Sequence, residues 1–206
     1  MKNPSLCKKN SLILLGFLTI LLHYPITPAP TGTDNFYYIS MAQAILSNGE
    51  IFWATNILSF YGLFPGTTPI GATMIATTIC TVTGLSIYQY VFLHGLLFSL
   101  ISTFGFFMLT GEITDNYRSR WFSTLCFSLA PRFITFSIWR LSLRFTLIAL
   151  LPFFIWLLLR LVNSKYGRHP SKIIILLSFM MVILPSLHRM GLLFPGILLA
   201  FVLSII

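Results

Sequence analysis

Long apolar runs alternate with short polar breaks along most of this chain. Ser11 to Ile26, Tyr88 to Leu109, Trp121 to Ile138, Phe145 to Leu159, Ile173 to Leu187 and Gly191 to Ile206 are each nearly free of charge. Helices of roughly 17–25 apolar residues cross a bilayer, and these runs reach or approach that length. A further run, Pro69 to Leu85, is diluted by Thr73, Thr77, Thr78, Thr81 and Thr83 and by Gly71 and Gly84. The pattern predicts an all-α, polytopic membrane protein of about six spans, with residues 1–206 forming a single transmembrane domain. The first span is 11–26, a long external loop covers 27–87, and the remaining spans occupy 88–206.

That loop has its own periodicity. Asp34 is placed to cap a helix from Asn35 to Ser47, with Tyr38, Met41, Ala42, Ile45 and Leu46 at three-to-four-residue spacing and Asn48 and Gly49 as the stop. Such a helix lies in the membrane interface. A second, Thr-rich helix is expected over 69–83, on or dipping into the outer leaflet.

Composition strengthens this picture. Hydrophobic residues make up 56% of the 206, charged ones only 8%, against about a quarter charged in a soluble domain. A soluble globule is thereby excluded. The net charge of +9 comes from 13 Lys and Arg against 4 acids. In so apolar a chain it speaks for membrane lipid and topology, not for a nucleic-acid partner. Lys2, Lys8 and Lys9 before the first run predict a cytoplasmic amino terminus, and Pro30 directly after Ala29 favours a retained anchor over a cleaved signal.

Charge also decides the number of crossings. If Pro69 to Leu85 crosses, the loop bearing Arg160, Lys165, Arg168 and Lys172 falls outside, against the positive-inside rule. If it does not, nine of the 13 basic residues are cytoplasmic, and Arg132, Arg140, Arg144 and Arg189 remain outside with no lysine among them. Arginine is the side chain suited to bidentate phosphate binding.

Several constellations offer chemistry. Asp34 stands just beyond the first span, where a carboxylate can take a proton from an acceptor hydroxyl or hold a divalent metal such as Mg or Mn. An ordinary helix cap accounts for Thr33, Asp34 and Asn35 equally. In PRFITFSIWRLSLR, from Pro131 to Arg144, Arg140 and Arg144 face the same way if helical and then form a phosphate clamp. Snorkelling beside Trp139 at a membrane boundary is the alternative. His188 and Arg189 interrupt the apolar stretch between Pro185 and Pro195, as a phosphate site or as the polar tip of a hairpin. Cys7, Cys80 and Cys126 form no CxxC pair, and His23, His94 and His169 lack metal-ligand spacing. Glu112 and Asp115 fall in a cytoplasmic loop with Arg118 and Arg120. No nucleotide-binding glycine motif, Ser-His-Asp arrangement or paired intramembrane carboxylate is present, and no repeat of the kind transporters use.

The segment TDNFYYISMAQAILSNGE, an acid after the first span followed by aromatics and a glycine, resembles the first external loop of the GT-C superfamily of integral membrane glycosyltransferases. That group includes oligosaccharyltransferase catalytic subunits and protein mannosyltransferases. LFPGTTPIGATMIATTICTVTGLSIYQYVFLHGLL is similar to its outer-loop helix and second span, and LAPRFITFSIWRLSLRF to the external break where its third span ends. The resemblance implies transfer of a sugar from a polyprenyl-phosphate-linked donor to an acceptor on the outer face. Asp34 matches the first-loop acid, a base or metal ligand, and Arg189, with Arg140 and Arg144, matches residues that bind the lipid phosphate. Many members carry a second acid after the proline of the external break, where this chain has Arg140 and Arg144, so a two-acid metal site is not expected. Members usually have more spans, and a chain ending in an apolar segment is expected to be an amino-terminal fragment. The alternatives are a non-catalytic or truncated membrane protein that binds lipid as a scaffold and, after it, a transporter.

Overall fold

The computed structural model describes residues 4–27, 29–30, 32–50, 71–162 and 170–203. Among them every regular element is helical: α1 (Pro4–His23), α2 (Thr33–Asn48), α3 (Gly71–Thr83), α4 (Ile87–Ile113), α5 (Tyr117–Ser128), α6 (Pro131–Ser137), α7 (Leu143–Val162), α8 (Pro170–Leu187), a 3-10 turn (Arg189–Leu192) and α9 (Leu193–Leu203). The all-α expectation is met. Two of the described helices, Ile87–Ile113 and Leu143–Leu161, are long and apolar enough to cross a membrane; Gly71–Thr83 and Ser171–Leu187 are apolar but shorter.

Helix α4 organises the bundle. Its 27 residues extend about 40 Å and pack against α1, α2, α3, α5, α6 and α7. It starts at a capping box, in which the Ser86 hydroxyl accepts from the Gln89 N–H and the Gln89 side chain accepts from the Ser86 N–H. Helix α5 is capped by the Asn116 side chain, which accepts from the N–H groups of Arg118 and Ser119.

Two expectations about elements are corrected. Trp121 to Ile138 is not one continuous helix: α5 ends at Ser128 and α6 restarts at Pro131. Proline has no N–H to donate and biases Ala130 toward extended backbone (φ −58°, ψ 123°), so the break falls at this dipeptide. Helix α2 starts at Thr33, with Gly32 as its cap residue and no side-chain cap bond, which places Asp34 inside the first turn instead of before it. The expected stop is correct: Gly49 is left-handed (φ 76°) and its N–H returns to the Ile45 carbonyl. Of the predicted inward face of α2, Met41, Ala42 and Ile45 are buried and Tyr38 is half-buried, whereas Leu46 is exposed.

A seam of hydroxyls runs through an otherwise apolar interior, and apolar side chains also cover much of the outside. Thr19 of α1 reaches Thr103 of α4 (3.5 Å), which pairs with Ser128 of α5 (3.0 Å), and Ser128 also donates to the Thr124 carbonyl. Thr19, Thr103, Thr124 and Ser128 are all buried. Phe17, Leu21, Leu97, Ile175, Phe179 and Val182 are meanwhile exposed on α1, α4 and α8.

Two ends differ in charge. At one, the Tyr117 hydroxyl donates to the Lys8 carbonyl (2.9 Å), Trp121 Nε1 to the Ser11 carbonyl (2.9 Å) and Trp156 Nε1 to Glu112 (3.1 Å). These bonds join the starts of α1 and α5 to the ends of α4 and α7, and gather Lys8, Lys9, Arg118, Arg120, Arg160 and Lys172 at what we call the lysine end. At the other, buried Leu143 and Leu187 pack with Ala72, so the start of α7 meets the end of α8 and the start of α3. Arg140, Arg144 and Arg189 belong to this arginine end; the described lysines, Lys8, Lys9 and Lys172, do not.

Candidate functional site at the arginine end

The site is built around the non-helical residues between α6 and α7. Ser137 closes α6: its hydroxyl pairs with His23 Nδ1 at the end of α1 (2.5 Å), and the His23 ring meets the Phe133 ring edge-on at 4.9 Å. Gly95 of α4 lies beneath, so near the Ser137 carbonyl that an added Cβ would collide with it. Trp139 follows with a positive φ of 48°, costly for so bulky a residue. Its indole N–H donates to the Thr27 carbonyl (2.6 Å), tying the segment after α1 to this break.

Asn35, in the first turn of α2 and 2% exposed, clasps the same break from the other side. Its amide nitrogen donates to the Trp139 carbonyl (2.5 Å) and its amide oxygen accepts from the Leu141 N–H (2.8 Å). Both backbone groups lack helical partners here, and burial without a bond costs each about 1–3 kcal/mol. Arg140 stands between them, half-buried. Its guanidinium lies against Gly32, with Cζ and Nε each 3.6 Å from where a Cβ on that glycine would be. Arg140 Nε is buried without a hydrogen-bond partner among the described residues. The Arg140 Cζ is 5.8 Å and the Arg132 Cζ 5.7 Å from the centroid of the same Phe136 ring. Gly32 is two residues before Asp34 and immediately precedes the uncapped N–H groups of α2, where the helix dipole favours an anion.

The sequence-predicted residues are therefore distributed unevenly. Asp34 and Arg140 belong to segments in direct contact, although the Asp34 side chain itself lies outside what is described. Arg140 and Arg144 do not share a helix face, because α7 begins only at Leu143; Arg144 is exposed on its first turn, between buried Leu143 and Phe145. His188 is buried, and its Nδ1 accepts from the Met190 N–H (3.1 Å) as the cap of the 3-10 turn. That favours the hairpin-tip alternative for the position. Arg189 begins the turn and its side chain lies outside the described residues, as do Lys165, Arg168 and His169. Tyr38 packs against both the Ala72–Leu143–Leu187 cluster and the cluster holding Leu141, so the two arginine-bearing regions share one end of the bundle.

Asn35, Trp139 and Gly32 were not singled out as site residues from the sequence. Asn35 reads there as part of a capping triplet, and nothing local signals a bond to residues more than a hundred positions away. Among the described residues no group of three His, Cys, Asp or Glu side chains comes together, and the break contributes guanidinium groups where a metal needs acids. Glu50 stands beyond the far end of α2, and Glu112 and Asp115 are at the lysine end. No family model matches the chain, and comparison with curated proteins and with solved structures likewise finds no match.

Proposed function

We propose that the protein is an integral membrane glycosyltransferase of the GT-C type, moving a sugar from a polyprenyl-phosphate-linked donor to an acceptor on the outer face. The observation that carries this reading is the nearness of the Arg140 guanidinium to Gly32, 3.6 Å from where a Cβ on that glycine would stand and two residues before Asp34. The neighbouring segments that carry Asp34 and Arg140 suit the roles of base and phosphate-binding cation in this reading. The acceptor hydroxyl attacks the anomeric carbon as its proton passes to Asp34, and the bond from that carbon to the phosphate oxygen breaks. The lipid phosphate leaves as an anion, and Arg140, with the first N–H groups of α2, offsets its charge where it develops.

The membrane reading is supported by the exposed apolar side chains of α1, α4 and α8, together with hydroxyl pairs buried between helices. We read about six crossings, with α5 and α6 together making one, α2 and α3 staying on the outer side, and the lysine end in the cytoplasm. A Thr83→Cys variant in intact cells should react with an impermeant maleimide, and a Lys165→Cys variant only after permeabilisation. Cys80 adds little background, since it is buried between α2, α3 and α4 and burial pushes its thiol pKa up. Equal labelling of both positions from outside contradicts the topology.

One observation favours a second reading, a lipid-binding scaffold without turnover: the break carries arginines where a second acid is expected. Sugar transfer from a lipid-linked donor by membranes containing the unaltered protein or Asp34→Asn separates the two. Loss of transfer in the variant supports the enzyme, whereas binding of polyprenyl phosphate with no transfer by either protein supports the scaffold.

A further inference from the structure

We propose that Asn35 is the positioning residue for Arg140, a single amide that holds the phosphate-binding guanidinium against the start of α2. Residues 139–141 run between the last helical bond of α6, from the Ile138 N–H to the Ile134 carbonyl, and the first of α7, from the Thr146 N–H to the Ser142 carbonyl, so helical bonding does not set the direction of the side chain at 140. Asn35 fixes the backbone on either side of it, accepting from the Leu141 N–H and donating to the Trp139 carbonyl. A primary amide carries its donor and its acceptor on separate atoms, so one short side chain reaches both the Trp139 carbonyl and the Leu141 N–H. Leu141, fully buried in the cluster of α2, α3 and α4, anchors one flank. The Trp139–Thr27 bond anchors the other and helps to hold the left-handed backbone at Trp139.

Arg140 is thus delivered to the start of α2 by the residue next to Asp34. The identity of the ligand rests on the glycosyl-transfer reading above; the clamp itself does not.

Two measurements test the clamp. In purified protein, phenylglyoxal modification of Arg140, followed by peptide mass spectrometry, should be about tenfold faster in Asn35→Ala, as expected on losing two such bonds. Arg118, at the other end, should react at an unchanged rate. Asn35→Asp, which keeps the acceptor and loses the donor, should fall between and guards against a variant that does not fold. In sugar transfer, Asn35→Ala should raise the KM for the lipid-linked donor by about tenfold with a smaller change in kcat. Combined with Arg140→Ala it should be no worse than Arg140→Ala alone, because both changes remove one function. A purely structural role predicts additive losses and no such split. Unchanged Arg140 modification in Asn35→Ala, or additive effects in the double variant, overturns the proposal. If the unaltered protein transfers no sugar, the functional reading fails, and the modification rates alone still decide whether Asn35 positions Arg140.

Discussion

If Asp34 is the base of the proposed glycosyl transfer, membranes carrying Asp34→Asn should transfer sugar about 10²–10⁴ times more slowly than membranes with the unaltered protein, the usual contribution of a positioned general base. Asparagine matches aspartate in size, so the first turn of α2 and the Asn35 clasp should survive the change. It takes no proton from the acceptor. Donor binding should change less than the rate, because Arg140 and the N–H groups of α2 remain. Glu50→Gln is the matched control: Glu50 lies beyond the other end of the 16-residue helix, about 24 Å away. Its rate should equal that of the unaltered protein. Initial rates at saturating donor decide the matter, and equal rates for Asp34→Asn remove the base from the mechanism.

Gly95→Leu should leave little correctly folded protein, and Gly95→Ala should already cost about 1–3 kcal/mol as an overpacked core does. A Cβ on Gly95 meets the carbonyl oxygen and carbon of Ser137, which belong to rigid backbone and cannot turn aside. Close approach of helices across a small residue is a main source of packing energy in membranes, where burial of apolar surface drives little. Displacing Ser137 also breaks its bond to His23, and with it the docking of the end of α1 beneath the arginine break. Gly196, in α9, is the contrast, since nothing lies within 4 Å of an added Cβ. Gly196→Ala should be neutral or stabilising by up to about 1 kcal/mol from helix propensity. Thermal unfolding in detergent, followed by size-exclusion fluorescence, reads both; a Gly95→Leu protein as stable as the parent contradicts the described packing of α4 on α6.

These expectations separate packing from chemistry at the same end of the molecule. Gly95 and Ser137 support the break from below, Asn35 fixes its course, and Arg140 presents the charge. A change at Gly95 should lower stability and activity together. A change at Asp34 should lower activity alone, and one at Asn35 should act through donor affinity.

The apolar runs with few charges determined the helical class and most helix positions, because a helix satisfies its own backbone hydrogen bonds and a long uncharged stretch leaves them no other partner. The stop of α2 at Asn48 and Gly49 was equally legible, since a left-handed residue closing a helix is a local event. The split of Trp121 to Ile138 was marked by Pro131 yet hidden by the apolar residues on both sides of it. Asp34 and Arg140 could be named as candidates from residue type and position. That their segments touch was decided by the tertiary structure, through the amide of Asn35 and the bare face of Gly32. It also decided that Arg144 and Arg140 do not form a helical pair and that His188 caps a turn. The physical reason is range. Hydropathy and capping act within a few residues and are written in order along the chain, whereas a hydrogen bond between residues 35 and 141 depends on how α1, α4 and α6 pack between them.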